Sequence, residues 1–81
     1  MSCVTKSIIE DKILVKTTEM YFEALSLETI ANDHKTKKQA KKLMTGCNLV
    51  RRYVLADNKL ISTIRIFKKV RHYYETIFSQ F

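Results

Sequence analysis

The scarcity of residues that turn the chain is the feature that most restricts how this sequence can fold. Its 81 residues include a single glycine, Gly46, and no proline, whereas average usage predicts roughly ten of the two together. Because tight turns and hairpins depend on these two residues, we expect few turns and a few long elements. In a chain that forms one domain over 1–81, such elements are usually helices.

The clearest helical pattern lies at the C-terminal end of the chain. Apolar residues recur there at steps of three and four, which is the period of an α-helix. We predict a helix over 58–80, with Asp57 and Asn58 capping its start. The apolar stripe comprises Leu60, Ile64, Phe67, Val70, Tyr74, Ile77, Phe78 and Phe81.

The middle of the chain follows the same period and predicts a second helix over 35–56. Gly46 lies within it, and a glycine inside a helix costs about 1 kcal/mol, so a break at this residue stays open. Lysines and arginines fall opposite the apolar residues. The stripe comprises Ala40, Leu43, Met44, Cys47, Val50 and Val54.

The N-terminal segment, which we predict as a helix over 6–31, carries two apolar stripes on roughly opposite sides. A helix with two apolar faces is either central in its bundle or shared with a second chain, so we expect a homodimer that pairs through this helix. A short strand over 12–17 is the alternative. One stripe is Ile9, Ile13, Met20, Ala24, Leu27 and Ala31; the other is Ile8, Val15, Phe22 and Leu25.

The main alternative for the fold is a winged helix-turn-helix with a β-hairpin over 49–67. The segments 49–56 and 59–67 are rich in β-branched residues and flank a two-residue turn. However, that turn lacks the usual glycine, and the helical stripe runs through the second segment to the end of the chain. We therefore predict an all-α or mainly α fold, a three-helix bundle whose short turns make successive helices antiparallel.

Charge is distributed unevenly along the chain, whose formal net charge is +7. Residues 1–31 contain three basic and five acidic groups. Residues 32–59 contain eight basic and two acidic groups, and residues 60–81 contain four basic groups and one acidic group. Such asymmetry indicates a polyanionic partner, which could be nucleic acid, an anionic membrane face or an acidic protein. A cation laid against a phosphate releases a counterion. The candidate nucleic-acid-binding residues are Lys35, Lys37, Lys38, Gln39, Lys41, Lys42, Arg51, Arg52, Arg65, Lys68 and Lys69.

Two stretches, Leu25–Ala31 and Thr36–Leu43, resemble the two helices of a helix-turn-helix. The following Gly46–Arg52 is similar to the passage into the first wing strand of winged-helix regulators. In that family the second helix enters the major groove. The resemblance thereby implies base reading by Lys37, Lys38, Gln39 and Lys41, and backbone contact by Arg51 and Arg52.

Residues that would support catalysis are sparse. The chain has no HExxH, GxSxG, P-loop or CxxC motif, and neither His34 nor His72 is near a nucleophile in sequence. Cys3 and Cys47, 44 positions apart, form neither a disulfide framework nor a metal site; we expect Cys3 exposed and Cys47 buried. We therefore predict no enzymatic activity, no cofactor, no metal and no small-molecule substrate.

The expected location is the cytoplasm, or that of a host if the gene is viral or plasmid-borne. No signal peptide and no apolar run of about 18 residues is visible, and membrane association is not expected because the apolar stripes are needed for the core. The preferred function is a small DNA-binding transcriptional regulator acting as a dimer. The alternative is a non-catalytic helical protein–protein interaction module, such as an adaptor, chaperone or inhibitor of a larger partner.

Overall fold

Three helices account for most of the chain in the computed structural model, which describes residues 3–80. They are α1 (Cys3–Ile30), α2 (His34–Leu55) and α3 (Leu60–Phe78). The prediction of a mainly α three-helix bundle is confirmed, and the helix ends differ from the predicted ones by a few residues. The side chain of Cys3, which was predicted to be exposed, lies outside the described part of the chain. Phe81, which was predicted to end the apolar stripe of the last helix, also lies outside it.

Contacts between the helices show that neighbours run antiparallel. Lys6 near the start of α1 reaches Asp57 just after the end of α2, with Nζ 2.6 Å from Oδ1. Gly46 of α2 lies against Val70 of α3, and Lys42, earlier on α2, lies beside Tyr73, later on α3, so these two helices also run in opposite directions. The bundle measures 46 × 18 × 15 Å, so its long axis follows the 28-residue α1.

The core is built from one stripe of each helix, at the intervals of three, four and seven that the sequence predicted. Burying a large apolar side chain contributes about 1.5–3 kcal/mol, and these stripes are therefore what holds the three helices together. The buried apolar residues are Ile13, Met20, Ala24 and Leu27 of α1, Ala40, Leu43, Cys47 and Val50 of α2, and Val70 and Ile77 of α3.

The alternative with a hairpin over 49–67 is wrong, as is the strand over 12–17, because residues 3–80 contain no strand. The resemblance to winged-helix regulators implied a strand after Gly46, but residues 49–55 belong to α2. Residues 60–67 belong to α3. The β-branched residues of these segments continue the helical stripes, and Val50 and Thr63 are fully buried. Their lower helix propensity costs only a few tenths of a kcal/mol each, which burial outweighs.

The turn between α2 and α3 differs from the prediction that Asp57 and Asn58 cap α3. Asp57 has a φ of 54°, a left-handed conformation that Asp and Asn tolerate better than most residues. Asn58 then donates hydrogen bonds from its backbone nitrogen and its side-chain Nδ2 to the Tyr53 carbonyl, at 3.2 and 3.1 Å. These residues therefore close α2, whose last carbonyls need donors, and α3 begins after Lys59 without a side-chain cap.

The turn between α1 and α2 ends in a side-chain cap. Asp33 Oδ2 accepts hydrogen bonds from the backbone nitrogen and the hydroxyl of Thr36, at 2.8 and 2.7 Å. The two bonds favour the carboxylate and hold the pKa of Asp33 below its usual value. His34, which lies just before the predicted helix over 35–56, is the exposed first residue of α2.

Gly46 does not interrupt α2, which is continuous from His34 to Leu55. A Cβ atom at this position would lie 3.1 Å from Cγ2 of Val70, so the absent side chain allows α2 and α3 to approach closely. The neighbouring Cys47 is buried as predicted. Its burial disfavours the thiolate and raises the pKa to about 11.

Candidate nucleic-acid interface

The side of α2 that faces away from the core is strongly basic. The helix contains no acidic residue, and its buried stripe leaves the remaining surface to polar and cationic side chains. Of the candidate residues on α2, Lys37 and Gln39 are half-buried. The exposed ones are Lys35, Lys38, Lys41, Lys42, Arg51 and Arg52.

Cations of α2 and α3 meet at the junction between these two helices. Lys42 and Lys69 line the same shallow groove, which has a volume of about 200 Å³ and also contains Tyr73. Lys38 lies one helical turn before Lys42, and Arg65 one turn before Lys69, so each pair shares one side of its helix. Together with Lys35, two turns before Lys42, these residues form what we call the basic face: Lys35, Lys38, Lys42, Arg65 and Lys69, all exposed.

The other candidates point elsewhere. Lys37 and Arg51 are each seven residues from Met44, which packs against the core, so they lie on the opposite edge of α2 from Lys42. Gln39 is seven residues before Gly46 and therefore lies on the side of α2 that faces α3. The remaining exposed candidates, outside the basic face, are Lys41, Arg52 and Lys68.

The ion pairs among the described residues lie outside the basic face. Glu75 forms an ion pair with Arg71, with Nε 3.4 Å from Oε1. Asp57 pairs with Lys6, which holds the pKa of Asp57 below its usual value. Lys16 lies 4.0 Å from Glu19 on α1. Over residues 4–80, no carboxylate lies within ion-pair distance of any of the five cations of the basic face, although Lys35 is close enough to Asp33 to help lower its pKa.

Tyr73 packs against the edge of the core and also belongs to this site. It is half-buried, and Nζ of Lys42 lies 5.2 Å from the centroid of its ring, within cation–π range. Burial raises the pKa of its hydroxyl. Tyr73 follows Lys69 by four residues, and this spacing in the sequence could have placed Tyr73 on the basic side of α3.

A second surface, on the other side of the molecule, is apolar. Phe22, Leu27 and Ile30 of α1 and Phe78 of α3 line an open groove of about 620 Å³. Phe22 and Ile30 are 59% and 73% exposed, so this groove continues onto the outer surface of α1. The two candidate surfaces therefore differ in chemistry and in position.

Among residues 3–80, no helix combines the length and apolar character needed to cross a lipid bilayer. Both histidines are exposed, His34 at the start of α2 and His72 beside Lys68 and Lys69 on α3. Compared with protein-family models, curated proteins and solved structures, the chain matches none of them. The helix-turn-helix resemblance of Leu25–Ala31 and Thr36–Leu43 therefore stays a prediction.

Proposed function

We propose that this chain is a non-catalytic protein that binds duplex DNA through the basic face, and that it regulates transcription. The observation that carries the proposal is the group of five exposed cations on α2 and α3 that form no ion pair within the described chain. The regulatory role rests on the helix-turn-helix resemblance alone.

The dimensions of α2 support a duplex as the partner. Its 22 residues span about 33 Å, close to one turn of B-form DNA, whose major groove is about 12 Å wide and admits a helix. On α2 the cations of the basic face lie within 35–42, about 10 Å of that length, and would contact the phosphates that border one groove. Each cation that neutralises a phosphate releases a counterion, so the affinity should depend steeply on salt.

The test is a mobility-shift titration of random-sequence duplex DNA at several salt concentrations. Lys38→Glu combined with Lys69→Glu removes one exposed cation from each helix of the basic face. We expect this variant to bind at least about tenfold more weakly at low salt. The slope of log affinity against log salt should also become shallower by about two, because two phosphate contacts are lost.

A matched control separates the basic face from the charge of the whole chain. Lys16→Glu combined with Lys59→Glu changes the formal net charge of +7 by the same amount but alters exposed residues outside the basic face. The control should bind with nearly the affinity of the unaltered chain. Circular dichroism of both variants establishes that their helices are intact.

Equal loss of affinity in the two variants would show that binding follows net charge, and the proposed interface would be wrong. If the unaltered chain does not shift duplex DNA even at low salt, DNA binding itself is excluded. The alternative is then that the same cations dock on an acidic protein, as expected of an interaction module.

A further inference from the structure

The outer side of α1 carries a row of exposed apolar side chains. Val4, Ile8, Val15 and Phe22 are 69%, 52%, 61% and 59% exposed. They lie opposite the stripe that α1 buries in the core, so no part of the bundle covers them. An apolar row along a helix that is already packed on its other side marks a contact surface for another molecule.

The charge of α1 favours a second copy of the chain as that molecule. A chain with a net charge of +7 repels its copies, but α1 contains three basic and five acidic residues. All three basic residues lie in the first part of the helix, up to Lys16, and three of the acidic ones lie beyond it. Two copies of α1 in antiparallel orientation therefore place opposite charges against each other, whereas a parallel pair places the acidic halves together.

The spacing of the row is symmetric as well. Ile8 is seven residues before Val15 and Phe22 is seven residues after it. A two-fold axis perpendicular to α1 at Val15 would exchange the two outer residues. This is the arrangement of an isologous contact, in which the same surface of both subunits is used.

We propose that the protein dimerises through the outer faces of two antiparallel α1 helices, with the two-fold axis at Val15. Val15 packs against Val15 of the partner subunit, and Ile8 packs against Phe22 of the partner subunit on both sides of the axis. The latter contact lies at the rim of the groove of about 620 Å³ that Phe22 lines, so the partner also covers part of this groove.

The polar residues beside the row fit this register. Lys12 and Glu19, both exposed, follow one edge of the row, and the symmetry brings Lys12 next to Glu19 of the partner subunit, twice. Asp11 on the other edge meets Thr18 of the partner subunit, which is uncharged. Because a stable interface takes about 800 Å² from each subunit, it includes these flanks, and their charges contribute to the orientation.

Sedimentation equilibrium without nucleic acid tests the dimer. Val15→Glu places two carboxylates at the axis, and we expect it to shift the equilibrium to monomers by at least tenfold, because burying unpaired like charges is costly. Val15 is exposed in the single chain, so the helical circular dichroism should be unchanged. The matched control is Ile61→Glu, an apolar residue that is 54% exposed on α3 and outside the interface, which should leave the dimer intact.

Disulfide trapping in a Cys3→Ser background tests the orientation. A mixture of the Ile8→Cys and Phe22→Cys variants should form a mixed disulfide dimer, whereas each variant alone should not. Buried Cys47 does not interfere. Dimers from each variant alone would overturn the antiparallel register; a monomer up to millimolar concentration, or a dimer unaffected by Val15→Glu, would overturn the interface. None of these results depends on DNA binding.

Discussion

The hydroxyl of Thr17 is buried in the middle of α1 without a hydrogen-bond partner, although the side chain is fully enclosed. Other threonines of the helices, such as Thr18 and Thr45, donate to the carbonyl four residues earlier. An unpaired buried hydroxyl is destabilising because it has lost its bonds to water.

We therefore expect Thr17→Val, which keeps the shape and removes the hydroxyl, to raise the free energy of unfolding by about 1 kcal/mol. Urea unfolding followed by circular dichroism measures the change. Thr63→Val is the control, since Thr63 is equally buried but lies 3.5 Å from the Lys59 carbonyl, and its gain should be smaller. A loss of stability in Thr17→Val would contradict the unpaired state of this hydroxyl.

Also at the residue scale, polar residues next to helices were predicted with mixed success. Asp33 lies in a predicted turn and caps α2, but Asp57 and Asn58 close α2 instead of opening α3. Both roles use the same residue types. The sign of φ at Asp57 decides between them, and this angle depends on how α2 and α3 pack, which a pattern of residues does not contain.

At the scale of elements, the close approach of α2 and α3 depends on Gly46. Alanine is about 1 kcal/mol more favourable than glycine inside a helix, but its Cβ would lie 3.1 Å from Cγ2 of Val70, and valine is stiff in a helix. In a Val70→Ala background, we expect Gly46→Ala to raise the free energy of unfolding by nearly the full difference in helix propensity. In the unaltered chain, we expect the increase to be clearly smaller.

Unfolding experiments on the two single variants and the double variant form a double-mutant cycle that measures this coupling. Thr45→Ala, one residue earlier on the exposed side of α2, serves as the control because its effect should be the same in the unaltered chain and in the Val70→Ala background. If Gly46→Ala also changes the free energy of unfolding equally in both backgrounds, Val70 does not limit how closely α2 and α3 approach each other.

The helices themselves were predictable because their apolar period runs without interruption and because glycine and proline are almost absent. The five residues of the basic face were also predicted, from their charge. Their grouping was not, because it requires the register of α2 against α3, which the contact between Gly46 and Val70 helps to set. The contact of Tyr73 with Lys42 was not predicted for the same reason, because one helix alone does not show that Lys42 lies beside this ring.

At the scale of the whole molecule, repulsion within the basic face should make stability rise with salt. The Debye length falls from about 30 Å at 0.01 M to about 10 Å at 0.1 M ionic strength, which screens this repulsion. The three surface ion pairs of the described part of the chain are weakened too, but such pairs contribute little. We expect the midpoint of thermal unfolding to increase with sodium chloride while affinity for DNA decreases.

Thermal unfolding by circular dichroism at a fixed protein concentration measures the salt effect, since a concentration-dependent dimer would otherwise contribute. Lys38→Glu combined with Lys69→Glu should reduce the salt-induced increase, because fewer like charges remain to be screened. A midpoint that falls as salt is added would mean that attractive pairs outweigh repulsion.

The separation of acidic α1 from the basic side of α2 and α3 gives the molecule an electric polarity across its short dimension. In the electric field of a polyanion, such a molecule is oriented before it makes contact, because the torque on its dipole acts at longer range than direct contacts do. The acidic helix is then rotated away from the polyanion. In a dimer paired through α1, the two acidic helices lie at the centre, so the two basic sides face outward and the dimer offers a basic surface on each of two opposite sides.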